Sequence, residues 1–517
     1  MIRARAAALP LSAAAALGAL AALGQAPFGL WPVSLVANAG VMALVATAPG
    51  PRAAWWRGWL AGAAQFAVAL VWIIEPFLVE PQRHGWMAPF ALVLMAGGLG
   101  LFWGVPAWLA TRATRARVAR IWTFVVALLG FEALRGHLFT GFPWALSGHV
   151  WIGTPVDQLA ALGGALMLSA LSLCLAAALA TAGLRWRQGR RLRAGAGLTM
   201  AALALAAGWG WGAHRLAEPA PTSPGVHLRL VQGNVPQHLK WQADLVEGFF
   251  MRHLELTARP ADIPPDLVIW PESAVPILLD SPGPALRLMA EAAGVPVVFG
   301  IDRRERDAQG VARYFNALAV IDSQGAVTAV YDKHHLVPFG EYVPLIGALG
   351  QGWGGLAARV LSGYTPGPGP VALDLGAAGR VVPLICYEAV FARSLDGPPR
   401  PDWVLQITND AWFGTWSGPY QHLAQARLRA IETGLPLVRA ANTGVSTVID
   451  ARGRSLAALG LGEMGVLDVG LPGARAATPY TLWGDTPWHI ALTLALLSLG
   501  WAGLRGRKRI DPGRRTR

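Results

Sequence analysis

Charged residues are scarce in this chain of 517 residues, where they account for only 14% of the total. A typical soluble globular protein carries about 25% charged residues. Hydrophobic residues make up 54% of the chain. This deficit of charge argues against an ordinary soluble protein and indicates segments that cross a membrane.

Cysteine is nearly absent as well, since only Cys174 and Cys386 occur. Cys174 lies inside an apolar run and Cys386 does not, so a disulfide between them is implausible. We expect Cys174 to be a small buried apolar residue.

Acidic residues are almost missing outside the central part of the chain. Between Leu216 and Thr486 the two signs are nearly balanced, whereas the short polar segments elsewhere are almost wholly basic. The net charge of +13 therefore does not indicate a nucleic-acid partner. Basic connections of this kind mark the cytoplasmic side of a membrane protein.

The chain contains several long runs of apolar residues. A membrane-spanning helix needs about 20 such residues, and we predict about eight spans on that basis. The basic residues cluster in every second connection and at both termini, which places the large segment after Ala213 outside the cytoplasm. The first run also resembles a signal peptide, and we expect it to be retained. The predicted spans are Ala6–Leu23, Phe28–Thr47, Gly58–Phe77, Ala88–Leu109, Ile121–Leu134, Leu159–Leu184, Ala194–Ala213 and Trp488–Leu504.

The central region has a different pattern, in which short β-branched runs alternate with helical stretches. This alternation predicts an α/β domain. We divide the chain into a transmembrane bundle at 1–218, a catalytic domain at 219–480, and a last helix with a basic tail at 481–517. The predicted strands are Leu228–Val231, Leu267–Trp270, Val295–Gly300, Ala317–Ile321, Val327–Tyr331, Val381–Cys386, Trp403–Thr408 and Pro436–Arg439. The predicted helices are Ala243–Thr257, Ala285–Ala293, Glu388–Ser394 and Tyr420–Thr433.

Three reactive side chains stand at the ends of predicted strands. They are Glu272, Lys333 and Cys386. A carboxylate can take the proton of a thiol, and an ammonium group can stabilise an oxyanion. The predicted helix start at Cys386 and a nearby lysine both favour the thiolate. Together the three residues predict a site for acyl transfer through a cysteine.

The segments around these residues resemble the Glu, Lys and Cys signatures of the nitrilase superfamily. Three further segments are similar to its membrane-embedded branch, the apolipoprotein N-acyltransferases, and so is Gly141-Phe142-Pro143-Trp144. They are Lys333 to Pro344, Val231-Gln232-Gly233-Asn234-Val235-Pro236-Gln237 and Thr408-Asn409-Asp410-Ala411-Trp412-Phe413-Gly414. The resemblance implies a polytopic α-helical membrane bundle and an extramembrane nitrilase-like α-β-β-α sandwich.

The resemblance also implies a reaction and its residues. A phospholipid would acylate Cys386, and the acyl chain would pass to the α-amine of a diacylglyceryl-cysteine at the N-terminus of a lipoprotein. Glu272 would be the general base and Lys333 the oxyanion stabiliser. Glu341, Glu388, Tyr387 and Trp241 would support the site. No metal and no cofactor are implied, and we expect a monomer in the bacterial inner membrane with its catalytic domain in the periplasm.

Two other functions fit parts of the sequence. A membrane-tethered amidase of the nitrilase type would hydrolyse its thioester with water, and a transport or lipid-binding scaffold would carry an inactive domain. The three intact reactive residues oppose the scaffold. The apolar segment Tyr342–Gly363 opposes the amidase, because a long apolar loop beside the site is suited to a lid that touches the membrane.

Overall fold

The computed structural model describes residues 2–306, 308–342, 363–397 and 399–508. The chain divides into two compact units. The first comprises the residues up to Glu218 together with those from Ala477 onward, and the second runs from Pro219 to Ala476. The predicted lid, Tyr342–Gly363, lies outside the described residues except at its two ends.

Helices build the first unit, and a helix occupies each of the eight apolar runs. Cys174, which we expected to be buried, is exposed on one of them. Short helical turns connect several of the long helices. The long helices are Ile2–Ala22, Trp31–Ala46, Pro51–Ala69, Ala88–Ala113, Arg117–Arg135, Ala160–Arg187, Arg191–Ala217 and Thr486–Lys508.

Only part of this set is both long and apolar enough to cross a membrane. Three described stretches meet both conditions, and a bent pair of helices makes a fourth if it counts as one span. The prediction of about eight spans is therefore confirmed only in part, and two further apolar helices among the described residues, Leu9–Ala22 and Trp31–Ala46, are shorter than a span. The three stretches are Pro81–Ala113, Pro155–Arg187 and Arg191–Ala217, and the bent pair is Pro51–Ala69 with Val71–Leu78.

Two buried charged side chains of one helix, Glu132 and Arg135, bind the segment that follows this helix. Glu132 Oε1 accepts hydrogen bonds from the backbone N–H and the hydroxyl of Ser147, at 3.0 and 2.6 Å. Arg135 donates to the carbonyl oxygens of Phe142 and Trp144 at 2.7 and 2.6 Å. The two side chains thus hold the segment from Phe142 to Ser147, which follows their helix.

Two β-sheets form the second unit. Their strands are β1 His227–Gln232, β2 Leu267–Ile269, β3 Val275–Leu278, β4 Val297–Arg306, β5 Ala312–Ile321, β6 Val327–Asp332, β7 Leu373–Asp374, β8 Arg380–Ile385, β9 Trp403–Thr408, β10 Leu437–Ala441, β11 Ser446–Ile449, β12 Ser455–Leu459 and β13 Gly465–Gly470. The first sheet has the strand order β13-β1-β2-β4-β5-β6 with β3 beside β4, and the second has the order β12-β11-β10-β9-β8-β7. Strands β1, β2 and β4 are parallel to one another, as are β8, β9 and β10.

The two sheets pack face to face. Leu230 and Ile269 of the first sheet share one apolar cluster with Ile385 and Ile407 of the second. Helices cover the outer faces of both sheets. This arrangement of layers is the predicted α-β-β-α sandwich. It explains why every residue of β9 is buried. The covering helices are Val246–Thr257 and Ala285–Ala293 on the first sheet and Gly418–Thr433 on the second.

One predicted helix of this unit is wrong. The segment Glu388–Ser394 forms parts of two short 3-10 turns, Cys386–Val390 and Ala392–Leu395. Cys386 therefore does not begin an α-helix, and the expected helix dipole at its thiol is missing. The pKa of this thiol is therefore set by its burial and by the side chains around it.

Candidate active site

Glu272 lies in the turn that follows β2, and its carboxylate is buried. Oε1 accepts a hydrogen bond from Asn316 Nδ2 at 2.8 Å, and Oε2 accepts one from the backbone N–H of Asn409, also at 2.8 Å. Asn316 belongs to the first sheet, whereas Asn409 follows β9 of the second. Both sheets therefore orient this carboxylate, and each of its oxygens retains room for a further hydrogen bond.

Lys333 follows β6, and only 1% of its side chain is exposed. Its Nζ donates to Glu341 Oε1 at 2.9 Å and lies 3.6 Å from Glu272 Oε1. Burial acts to lower the pKa of Lys333, but the Glu341 and Glu272 carboxylates outweigh burial and raise this pKa above its usual value. The side chain is therefore a permanent cation between two carboxylates.

Asn316 joins the two carboxylates and was not predicted from the sequence. Its Nδ2 donates to Glu272 Oε1 at 2.8 Å and to Glu341 Oε1 at 2.9 Å. Asn316 is the polar interruption of an apolar stretch in β5, from Phe315 to Ile321. A lone amide in a buried strand is a signal of this kind of role, because a buried polar group needs partners.

Cys386 is the first residue after β8, and 6% of it is exposed. Burial, followed by the charge of Glu272, raises the pKa of the Cys386 thiol well above its usual value. Lys333 and a hydrogen bond with Thr408 act in the opposite direction without offsetting this effect. The thiol is therefore protonated at neutral pH, contrary to our expectation of a favoured thiolate. Its attack on a carbonyl carbon requires a base.

Glu388 connects the lysine and cysteine segments from a fully buried position. Its Oε1 accepts from the backbone N–H groups of His334 and His335 at 2.9 and 3.1 Å, and its Oε2 accepts from that of Ile385 at 2.7 Å. The Tyr331 hydroxyl donates to the same carboxylate at 2.9 Å. Glu388 therefore supports the site through the backbone on either side of it.

We expect Glu388→Gln to lower the free energy of unfolding by about 1–3 kcal/mol, because an amide cannot accept all of these hydrogen bonds. Although burial acts to raise the pKa of Glu388, hydrogen bonds and the His334 ring hold it below the usual value. A carboxylate with a lowered folded-state pKa stabilises the fold above its unfolded pKa, and the effect disappears as pH falls through the folded value.

Thermal unfolding at a series of pH values checks this prediction. The difference between wild type and Glu388→Gln should be largest at neutral pH and should shrink in acid. The exposed Glu247 offers a matched control, and Glu247→Gln should unfold like wild type. Equal stability of wild type and Glu388→Gln at neutral pH would contradict the assigned role.

Tyr387 and Trp241 have different surroundings. Tyr387 is buried, and its ring packs almost perpendicularly on that of Phe391, with 5.0 Å between centroids. Trp241 is half exposed and lines a small pocket with Glu272 and Lys240. Burial lowers the pKa of Lys240 to about 8 although Glu272 and Asp302 act against this shift. Tyr387 thus supports the cysteine turn, whereas Trp241 borders an opening beside Glu272.

Two motifs singled out in the sequence meet at the same place. Asn409 Nδ2 donates to Gln237 Oε1 at 2.6 Å, and Asn442 Nδ2 donates to Asn409 Oδ1 at 3.0 Å. Asn442 also exchanges hydrogen bonds with the backbone of Val235. The backbone N–H of Asn409 donates to the Glu272 carboxylate, while the Asn409 side chain binds Gln237. The motif that contains Gln237 therefore helps to position this carboxylate through Asn409.

Comparisons with known proteins match two family domains to the chain. Residues 17–178 match the model of the apolipoprotein N-acyltransferase N-terminal domain, and residues 228–480 match that of the carbon-nitrogen hydrolases. Among solved structures, a mutant of the Nesterenkonia AN1 amidase, from the nitrilase superfamily, is 20% identical. The match covers 53% of this chain and 99% of that chain, with a TM-score of 0.36.

Curated relatives are similar over almost the full length. The apolipoprotein N-acyltransferase of Caulobacter vibrioides is 41% identical across 93% of this chain and 92% of its own length. That of Azotobacter vinelandii is 38% identical across 97% of this chain and 96% of its own. The chain therefore belongs to the apolipoprotein N-acyltransferase family.

Proposed function

We propose that this enzyme transfers an acyl chain from a phospholipid to the α-amine of a lipoprotein's N-terminal diacylglyceryl-cysteine, through a thioester on Cys386. The observation that carries the proposal is the cluster of Glu272, Lys333 and Glu341, in which the buried lysine contacts both carboxylates. Their charges act on Cys386, whose thiol needs a base. The name of the relatives supplies the class of acceptor.

In the first half-reaction, Glu272 takes the proton of the Cys386 thiol as the sulfur attacks the ester carbonyl of the phospholipid. Lys333 stabilises the negative oxygen of the tetrahedral intermediate. The ester C–O bond then breaks, and the proton held by Glu272 passes to the leaving alkoxide of the lysophospholipid. The products are an acylated cysteine and a lysophospholipid.

In the second half-reaction, the lipoprotein α-amine attacks the thioester carbonyl. A new C–N bond forms, the C–S bond breaks, and the amine proton is transferred through a carboxylate to the Cys386 sulfur. We assign Glu341 either to this proton transfer or to holding Lys333, and its Oε1, which accepts from Nζ at 2.9 Å, supports the second role. The net change replaces a phospholipid ester by an amide on the lipoprotein.

Single-turnover assays separate this function from that of an amidase. The wild type is mixed with labelled phospholipid alone, and a diacylglyceryl lipopeptide is added afterwards. We expect an acyl-enzyme that persists in water and is discharged by the lipopeptide with formation of an N-acyl product. Rapid release of free fatty acid without the lipopeptide would instead favour the amidase.

The distribution of arginine supports a topology of eight spans in the inner membrane, with the catalytic unit in the periplasm. We expect an impermeant protease added to intact spheroplasts to cut within residues 219–476 and to spare the connection Arg185–Arg193. Lysed spheroplasts provide the control, since both regions should then be cut. Protection of the catalytic unit in intact spheroplasts would reverse this topology.

We propose that the enzyme acts as a monomer, without a nucleic-acid partner.

A further inference from the structure

Cys386 has a backbone conformation that side-chain-bearing residues rarely adopt, because its φ angle is +51°. A non-glycine residue in such a sparsely populated region of backbone conformation is strained, and it persists only where surrounding contacts determine it. The backbone angles of Cys386 also set the direction of its side chain. The contacts that hold this conformation therefore decide where the sulfur atom lies.

Two buried side chains hold the backbone carbonyl of Cys386. Gln406 Nε2 donates to this oxygen at 3.1 Å, and His422 Nε2 lies 3.0 Å from the oxygen and 3.1 Å from Gln406 Nε2. Because a carbonyl oxygen only accepts hydrogen bonds, we assign to His422 a ring form with a proton on Nε2, which then donates to this oxygen. Because the peptide group is planar, the same two contacts also fix the direction of the Tyr387 N–H.

His422 is itself held by charged groups. Its Nδ1 lies 3.0 Å from Asp410 Oδ1 and 3.3 Å from Arg439 Nη2, while Asp410 Oδ2 accepts from the same guanidinium nitrogen. Arg439 Nη1 also donates to Gln406 Oε1 at 2.5 Å. The Arg439 guanidinium thus contacts both Gln406 and His422, the two side chains that hold the Cys386 carbonyl. These three side chains and that of Asp410 are completely buried.

Different elements supply the members of this network. Gln406 belongs to β9, Asp410 follows the same strand, His422 lies on the helix Gly418–Thr433, and Arg439 belongs to β10. A buried charged network is costly unless its members are fully paired. Here the paired groups converge on the main chain of Cys386, the proposed nucleophile.

We propose that His422 is a positioning residue for Cys386, held by Asp410 and Arg439 in the orientation that keeps the cysteine turn in its strained conformation. This inference rests on the proposed role of Cys386 as nucleophile and adds a residue that acts through the backbone. A displacement of reacting atoms by about 1 Å can cost on the order of 10²-fold in rate.

The test compares the rate and the amplitude of thioester formation in single turnover with labelled phospholipid. In His422→Phe we expect the rate to fall by about 10²-fold, while the final fraction of acylated enzyme and the saturation by phospholipid stay near wild type. In His422→Gln we expect part of the rate to return, because the glutamine amide can donate to the same carbonyl. A purely structural role would lower the amplitude and leave the rate of the folded fraction unchanged.

Thr433→Val is the matched control, since Thr433 is buried on the same helix and its hydroxyl donates to the Arg429 carbonyl at 2.8 Å. It should acylate at the wild-type rate. Gln406→Leu removes the other donor to the carbonyl and should also slow acylation, which keeps the test decisive if His422→Phe fails to fold.

The outcomes separate this inference from the function on which it rests. If the wild type forms no thioester, the proposed function fails. If the wild type forms it and either His422→Phe or Gln406→Leu forms it equally fast, only the positioning role is overturned. An equal loss of rate in Thr433→Val would also overturn it.

Discussion

Cys386→Ala should form no acyl-enzyme and should lose all transfer activity. Loss of a covalent nucleophile typically costs on the order of 10⁶-fold in turnover. Cys386 is the only cysteine between Pro219 and Ala476, so the acyl mass from labelled phospholipid should map to a single peptide. Mass spectrometry of the intact protein and of its peptides measures both expectations.

The second cysteine of the chain provides the control for this result. Cys174 is exposed on the helix Ala160–Arg187, in the other unit. Cys174→Ala should therefore keep the acyl-enzyme and the activity of the wild type. An acyl mass that persists in Cys386→Ala, or that maps to the Cys174 peptide, would exclude the covalent role of Cys386.

Glu272→Gln should slow thioester formation by about 10²–10⁴-fold, the usual contribution of a general base. The effect should depend on pH, because burial keeps the Cys386 thiol protonated at neutral pH. Without the base, the reactive thiolate must come from ionisation, and its fraction rises tenfold for each pH unit below the thiol pKa. The rate of the variant should therefore rise steeply with pH, whereas that of the wild type should not.

Lys333→Met separates charge stabilisation from proton transfer. We expect a loss of about 10²–10³-fold, the usual effect of removing one oxyanion donor, and no recovery at higher pH. The double variant should lose far less than the product of the single losses, since the two groups act as one unit. A near wild-type rate of acylation in Glu272→Gln would remove that residue from its proposed role.

Local sequence patterns were sufficient to predict the central strands of both sheets. Strands β1, β8 and β9 are rich in Leu, Val and Ile, and the structure confirms them. The short strands β3 and β7 and the polar or small-residue strands β11 and β12 were missed, because their pairing depends on neighbours that are distant along the chain. The helix predicted at Glu388 was wrong, since that carboxylate binds the backbone of Ile385 and of the lysine segment.

The sequence predicted which residues end the strands, but not how these residues contact one another. The positions of Glu272 and Lys333 after apolar strands were visible from the sequence alone. Asn316 joins the carboxylates of Glu272 and Glu341, and His422 contacts the carbonyl of Cys386. Both contacts follow from packing between elements that are far apart in sequence. Such contacts have no local pattern, although polar residues within apolar strands indicate where to look.

The pairing of β1 with β13 has a consequence for biosynthesis. These strands lie at the two ends of the catalytic unit, and His227 pairs with Gly470. A growing chain that has passed Cys386 already contains every proposed catalytic residue, yet it lacks the strand that completes its first sheet. A chain truncated before Gly465 should therefore leave the edge of β1 unpaired and open to pairing with another chain.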